Sequence, residues 1–448
     1  VNQTVLNWTE DQTRALALLR SPTPAFITGG AGTGKSTVVR EFIQNPPAES
    51  SGETTPKNAV AVLASTGTAA ILLGGRTFHS FFGLGIMEGG PEVVLERALR
   101  HRGIVQRLRK TNTVLVDEIS MIGEAEFRVA EKIARKARAN SAPWGGLRLV
   151  AVGDFSQLPP VVKAQPRDPA NDPDFFSQVA EEIPQKPWCF LSETWKETEF
   201  EPVYLKTVVR SQDEYWNKIL NELRWGELSR DGAELLAERT RRVALDFQGT
   251  RLFARRMQVE RLNRERLEML NGIAREYSTL YIGNAQKVDD LKRNAPIPET
   301  LYLKEGALVM LRQNDPEYRF INGSQGIIRK LPGSSLGDSG DERITIELLN
   351  GKTIELKKAT FSVLDAEGEP VATATNYPLS LAWACTIHKA QGATLDRVHV
   401  DLKGVWEHGQ AYVALSRVRS LNDLSLEGFS ERVLVVDPLV RRFYSNLG

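Results

Sequence analysis

The chain has little that could cross-link, metallate or anchor it. Only two cysteines, Cys189 and Cys385, occur in 448 residues, far apart and in neither a metal-ligand nor a redox spacing. That excludes a disulfide framework or zinc site and points to a reducing compartment. No apolar run reaches the roughly 18 residues a membrane helix needs, and no charged-then-apolar leader opens the chain. Charge of either sign is not in excess: 57 Lys and Arg face 56 Asp and Glu, a formal net charge of +1. A nucleic-acid surface therefore has to come from local clustering of cations. A soluble protein without a membrane partner is expected, cytoplasmic in a bacterium, nuclear or mitochondrial in a eukaryote. The first residue is Val1, which leaves open whether native residues precede it.

What is present is core-forming material, 41% hydrophobic and 25% charged, enough for two or more domains. Short β-rich runs at 24–28 (PAFIT), 59–64 (AVAVLA), 113–116 (TVLV), 147–152 (LRLVAV) and 188–191 (WCFL) are separated by helical patterns or loops. Buried strands alternating with helices indicate an α/β fold with a parallel sheet, its ligands at the strand C-terminal ends. The first such domain is read as residues 1–200, with a small insertion at about 83–110 ending in the basic run RALRHRGIVQRLRK. A second α/β domain is read over 201–300 and 359–448, interrupted at 301–358 by closely spaced short strands that suggest an antiparallel barrel.

The segment GGAGTGKST, 29–37, follows an apolar strand and precedes an amphipathic stretch, matching G-x-x-x-x-G-K-[ST] through Gly29, Gly34, Lys35 and Ser36. Such a loop turns backbone N–H groups onto phosphate oxygens at a helix N-terminus. Gly29, Gly32, Thr33, Gly34, Lys35, Ser36 and Thr37 are assigned to a nucleoside triphosphate, with Lys35 on the β- and γ-phosphates and Ser36 on Mg²⁺. TVLVDEIS, 113–120, ends a strand in two acids. Asp117 is placed on the Mg²⁺ with Ser36, and Glu118 on the attacking water. No Asn-Lys-x-Asp guanine motif is present. Gln12, before the first helix, offers an amide whose donor and acceptor suit an adenine edge, so ATP is the expected nucleotide.

Motif order adds more. LASTGTAA (63–70), GRTFHSFFG (75–83), VDEIS (116–120), VGDFSQLPPV (152–161), LKTVVRS (205–211), TIHKAQGATLDRV (386–398) and GQAYVALSRVRS (409–420) follow one another along the chain. In these motifs and their order the sequence resembles the petite-integration-frequency (Pif) DNA helicases of superfamily one, a RecD-like 5′-to-3′ group. The resemblance implies two RecA-like parallel-sheet domains, a wedge insertion in the first and an SH3-like β-barrel insertion in the second. It implies that Gln157 senses the γ-phosphate and that Arg210 and Arg417 reach it from the second domain, although Ser211 stands where relatives commonly have Gln. Thr66, Gly67, Thr77 and His79 from the first domain, and Thr386, His388 and Gln391 from the second, are implied to contact single-stranded DNA. At most one ring among Phe78, Phe81 and Phe82 is given to base stacking, and Arg97, Arg100, Arg102 and Arg107 form either a solvated basic face or the wedge. The expected activity is ATP-dependent 5′-to-3′ translocation and unwinding, on single-stranded and forked DNA and also G-quadruplexes, by a monomer, in DNA repair, replication or telomere maintenance. The alternative is an ATP-switched clamp that grips nucleic acid without separating strands. An RNA helicase is disfavoured by Ser120, where a DE-x-D box has its last acid.

Overall fold

The run AFITG, apolar and β-favouring, has every residue buried and forms a strand inside a six-stranded sheet. The computed structural model describes residues 8–447 apart from 46–59, 86, 88, 161–187, 241–246, 248, 316, 318, 333–341, 365–369 and 431–432. The first sheet contains β1 (Ala25–Gly29), β2 (Val60–Ala64), β3 (Arg76–Thr77), β4 (Thr113–Asp117), β5 (Arg148–Val152) and β6 (Glu201–Leu205). All pairings are parallel, in the order β3-β2-β4-β5-β1-β6. Helices cover both faces. On one, Leu16 and Leu19 of the helix Glu10–Arg20 meet Val38, Val39 and Phe42 of the helix Lys35–Gln44. On the other, the helix Glu124–Arg138 packs Phe127, Ile133 and Ala134 into an aromatic-rich core. Burying each such large side chain contributes about 1.5–3 kcal/mol, which fixes the strand ends that carry the site.

Two sequence expectations change here, and a third is narrowed. β6 pairs with β1 from Ala25↔Glu201 to Gly29↔Leu205, so the first sheet runs past the boundary expected at residue 200. The expected strand 188–191 is a 3-10 turn, Cys189–Leu191. Its rings serve packing rather than pairing: Trp188 and Phe190 close on Phe155 at 5.8 and 4.8 Å, and the Trp188 indole N–H donates to Asp437 at 2.8 Å. Phe78, Phe81 and Phe82 are all buried, so none of the three is available to stack on a base.

Within 83–110, the helices Gly90–Arg100 and Arg102–Lys110 pack Val94, Leu95, Ala98, Ile104 and Leu108 into the same core. Arg107 donates to the carbonyls of Phe81 and Ser80, and Arg97 to that of Leu84. Arg100 and Arg102 stay exposed.

The second sheet, β18-β7-β19-β20, is also parallel, with β7 (Thr250–Phe253), β18 (Ala384–Thr386), β19 (Val398–Asp401) and β20 (Leu424–Glu427). Between β7 and β18 lies an antiparallel insertion wider than 301–358. Its largest sheet combines β11 (Leu308–Leu311), β12 (Gln325–Lys330), β13 (Ile344–Leu348), β14 (Thr353–Leu356) and β17 (Leu379–Leu381). A second joins β9 (Leu280–Gly283), β15 (Ala359–Leu364) and β16 (Pro370–Asn376), and a third pairs β8 (Arg275–Ser278) with β10 (Thr300–Leu303). Ile71, on the first-domain helix Gly67–Leu72, packs against the small core of Leu291, Ile297 and Phe361 in this insertion. The last helix, Pro438–Ser445, returns to the first domain, where Val440 and Tyr444 enter its core. Among the described residues no helix is long and apolar enough to cross a membrane.

Candidate functional site

The loop after β1 is built around glycine. Gly34 has φ +89°, and a Cβ there would lie 2.5 Å from the Gln12 amide nitrogen. It precedes the helix Lys35–Gln44 without any side-chain cap, so the first N–H groups of that helix are left for an anion. The Lys35 ammonium donates to the carbonyls of Gly29 and Gly30 at 2.8 and 3.0 Å. Burial lowers its pKa, while Asp154, Glu118 and Asp117 act to keep the charge. Gln12 is spent locally: it closes a capping box with Thr9, and its amide donates to the Thr33 carbonyl at 3.0 Å. It therefore braces the loop from behind, a role that the adenine assignment did not foresee.

Asp117 ends β4 in the cleft, and burial followed by the neighbouring Glu118 charge pushes its carboxyl up to about 7. A buried carboxyl that resists ionisation suits a divalent cation, and Mg²⁺ needs only one or two protein oxygens besides phosphate and water. The Ser36 hydroxyl and the Asp117 carboxylate are the fitting donors. Glu118 takes a left-handed backbone, φ 53° and ψ 46°, with its N–H donating to Asp117 Oδ1 at 2.9 Å. Gln157 is buried at the domain interface, where Gly409 (φ +72°) comes so close that a Cβ would sit 2.4 Å from its carbonyl oxygen.

The connection between β6 and the helix Glu214–Trp225, together with the second domain, supplies the opposite wall. The N–H groups of Val209 and Arg210 donate to Gly32 O at 2.9 and 3.1 Å. The Arg210 guanidinium donates to Ser416 O at 2.9 Å, and burial together with Arg417 lowers its pKa to about 9. Arg417, 1% exposed, donates to the carbonyls of Val413, Ala390 and Ala393 and to the Ser416 hydroxyl. Burial lowers it to about 10, with Glu118 opposing. Tyr412 accepts from the Ala31 N–H at 2.7 Å.

A continuous cleft of about 1960 Å³ joins this site to the DNA candidates. Gly34, Lys35, Ser36, Thr37, Asp117, Glu118, Gln157, Arg210 and Arg417 line it together with Thr66, Thr386, His388 and Gln391. Gly67, Thr77 and His79 are not in that lining. Burial keeps His79 below its ordinary pKa, which favours a neutral ring. Thr66, Thr77 and Thr386 are each helix N-caps, accepting from the N–H groups of Ala69, Ser80 and Lys389. A capping oxygen keeps its own O–H to donate. Gln391 instead donates to Glu118 Oε2 at 3.1 Å.

Motif reading missed several groups that the fold gathers here. Arg40, Arg256, Arg264, Lys292, Lys389 and Arg419 give the cleft cationic character despite the neutral chain. Behind the phosphate loop, Arg224 and Asp154 form a buried ion pair with Tyr444 and Tyr204. Lys389, Arg419 and Asp154 lie inside quoted motifs without having been given a role, whereas Arg40, Arg256, Arg264, Lys292 and Arg224 stand outside every motif.

Comparison with known proteins agrees with this architecture. The family model for PIF1-like helicases matches residues 9–179. The ATP-dependent DNA helicase Pif1 of Bdellovibrio bacteriovorus is 41% identical over 434 residues, covering 97% of this chain and 91% of the relative. The crystal structure of Bacteroides sp Pif1 in complex with ADP-AlF4 superposes with a TM-score of 0.80 at 28% identity, over 98% of this chain and 97% of that one. Bacteroides Pif1 bound to ssDNA gives a TM-score of 0.62 at 27% identity, over 98% and 96% of the two chains. With two parallel-sheet domains, a phosphate loop between them and a relative this similar over almost its whole length, the chain belongs to the Pif1 family of ATP-dependent DNA helicases.

Proposed function

We propose that this chain couples ATP hydrolysis in the interdomain cleft to 5′-to-3′ movement along single-stranded DNA, and so unwinds forked duplexes. The observation that carries the reading is that one cleft, shared by both sheets, is lined by the phosphate loop and acid pair together with Thr66, Thr386 and His388. In hydrolysis Glu118 orients a water on the γ-phosphorus. A P–O bond forms to that water as the bond to the β-γ bridging oxygen breaks, and the water's proton passes to the carboxylate or to solvent. Lys35, Arg210 and Arg417 meet the charge that spreads over the γ-oxygens, and Gln157 registers whether the γ-phosphate is present. When bound, Mg²⁺ on Ser36 and Asp117 supplies further neutralisation of the β- and γ-oxygens.

Because Arg417 belongs to the second domain and Arg210 to the connection leading into it, closure completes the site and product release relaxes it. The hydroxyl and imidazole donors at Thr66, Thr386 and His388 grip phosphates without reading bases, and Thr77 and His79 extend the first-domain track. The exposed Arg100 and Arg102 are the groups available for a wedge against the duplex. A single chain carries the full set of motifs, which favours action as a monomer, and a G-quadruplex with a 5′ tail presents the same single strand to grip.

Strand displacement on forks bearing only a 5′ or only a 3′ tail tests this function. Unwinding of the 5′-tailed fork alone is expected. ATP-dependent binding with neither fork unwound would establish the clamp instead.

A further inference from the structure

The hydrogen bond from Gln391 to Glu118 crosses the interdomain cleft and joins two segments that the motifs had assigned to different tasks. Glu118 is held on both sides. Its N–H donates to Asp117 Oδ1 at 2.9 Å, and its carboxylate Oε2 accepts the Gln391 amide N–H at 3.1 Å. Its backbone lies in the left-handed region, at φ 53° and ψ 46°, which costs a β-carbon-bearing residue about 1–2 kcal/mol. Such a conformation persists where surrounding contacts determine it, and it aims the side chain in a direction that an ordinary strand-to-helix turn would not. Without Gln391 the carboxylate keeps its backbone anchor but loses the contact that fixes its outer end.

Gln391 closes the short helix Ile387–Ala390, with its own N–H on His388 O at 3.2 Å. Thr386 opens that helix, and both Thr386 and His388 line the cleft. One turn of chain therefore carries proposed DNA donors at its start and the holder of Glu118 at its end. A shift of this helix against the first domain moves the amide relative to the carboxylate.

We propose that Gln391 is a positioning residue for hydrolysis rather than a phosphate ligand of DNA: it sets the direction of the Glu118 carboxylate, and engagement of single-stranded DNA by Thr386 and His388 acts on hydrolysis through it. The proposal rests on the reading of Glu118 as the carboxylate that orients water.

The test uses Gln391→Leu, which removes the amide, and the near-isosteric Gln391→Glu, which removes the donor and sets a second carboxylate against that of Glu118. Phosphate release is measured with and without saturating oligo-thymidylate, and oligonucleotide affinity by fluorescence anisotropy. Both variants are expected to lower DNA-stimulated kcat by about a hundredfold, the effect of misplacing a catalytic group by an ångström, while KM for ATP and Kd for the oligonucleotide stay unchanged. On a Glu118→Gln background, Gln391→Leu should cause no further loss, because the two residues act as a unit. A weakened oligonucleotide Kd with full kcat at saturation would make Gln391 a DNA ligand and overturn the proposal. So would an unchanged kcat in both variants when Glu118→Gln is inactive. Full hydrolysis by Glu118→Gln alone would overturn the underlying role of Glu118 itself.

Discussion

Arg224 and Asp154 meet across the two RecA-like domains, with Nη2 2.8 Å from Oδ1 and side chains 2% and 0% exposed. Arg224 comes from the second-domain helix Glu214–Trp225 and Asp154 from the turn after β5. The rings of Trp225, Tyr444 and Tyr204 surround the guanidinium at 4.6, 5.0 and 5.2 Å. Tyr444 also accepts from Phe155 N–H and bonds the Thr28 hydroxyl at 2.7 Å, one residue before the phosphate loop. Removing one partner of a buried pair strands the other charge and costs about 3–5 kcal/mol. Arg224→Met should therefore lower the thermal unfolding midpoint well beyond any surface arginine variant such as Arg230→Met. Calorimetry of the two side by side checks this, and equal midpoints would contradict it.

Lys35→Ala should abolish ATP hydrolysis while leaving oligonucleotide binding largely intact, because Lys35 donates to the phosphate-loop carbonyls of Gly29 and Gly30 and belongs to that loop rather than to the proposed DNA donors. Phosphate release and fluorescence anisotropy on the same preparation separate the two. Hydrolysis at the wild-type rate would remove Lys35 from the site.

The two arginines should differ. Arg210→Ala is expected to lower kcat by about 10³-fold or more, the value of an arginine in phosphoryl transfer, with only a small change in unfolding midpoint, since its guanidinium holds a single carbonyl, that of Ser416. Arg417→Ala should lose kcat and also stability, since it removes donors from the carbonyls of Val413, Ala390 and Ala393. Lysine at either position should not restore the rate, having a point charge instead of a planar fork. Stopped assays at saturating ATP and DNA, paired with melting curves, test both parts.

His408 should give the fold a pH dependence. Its Nδ1 accepts the Asp437 N–H at 2.8 Å, so the ring proton sits on Nε2 and bonds Phe155 O at 2.8 Å. Burial holds its pKa below 6.5, although the Phe155 carbonyl, Asp437, Asp154 and Glu407 pull it upward. The unfolded chain thus takes up this proton near pH 6.5, and the folded chain only at lower pH. Between those values the unfolded state binds more protons, so the stabilisation is complete above about pH 6.5 and is lost as pH falls towards the folded value. His408→Gln, which can keep both hydrogen bonds, should unfold with a shallower pH dependence than the wild type between pH 5 and 7. Identical slopes would exclude His408 as the source.

The phosphate loop and acid pair were legible because their chemistry is local: Gly34, Lys35 and Ser36 are read within a few residues of the end of β1, and Asp117 at the end of β4. The alternation that indicated two parallel sheets was legible for the same reason. Tyr412, Arg224 and Tyr444 were not, since Tyr412 and Tyr444 act on the Ala31 N–H and the Thr28 hydroxyl, 381 and 416 residues away, and Arg224 on Asp154, 70 residues away. The threonines show a subtler limit. Thr66, Thr77 and Thr386 match a DNA track by motif, yet each also caps a helix, and the same residue type serves both needs. Gln12 and Gln391 were assigned to ligands because a free amide suits a base edge or a phosphate. The fold gives those amides to Thr33 and Glu118 instead. The insertion was read short because β15 and β16 return to pair with β9, an association that local pattern does not reveal.

The return of the helix Pro438–Ser445 to the first domain has a mechanical consequence. The chain crosses between the two sheet units twice, once between Leu205 and Glu214 and again between Glu427 and Pro438. The second unit is therefore tied to the first at both its ends, by the connection that follows β6 and by a closing helix whose Val440 and Tyr444 sit in the first-domain core.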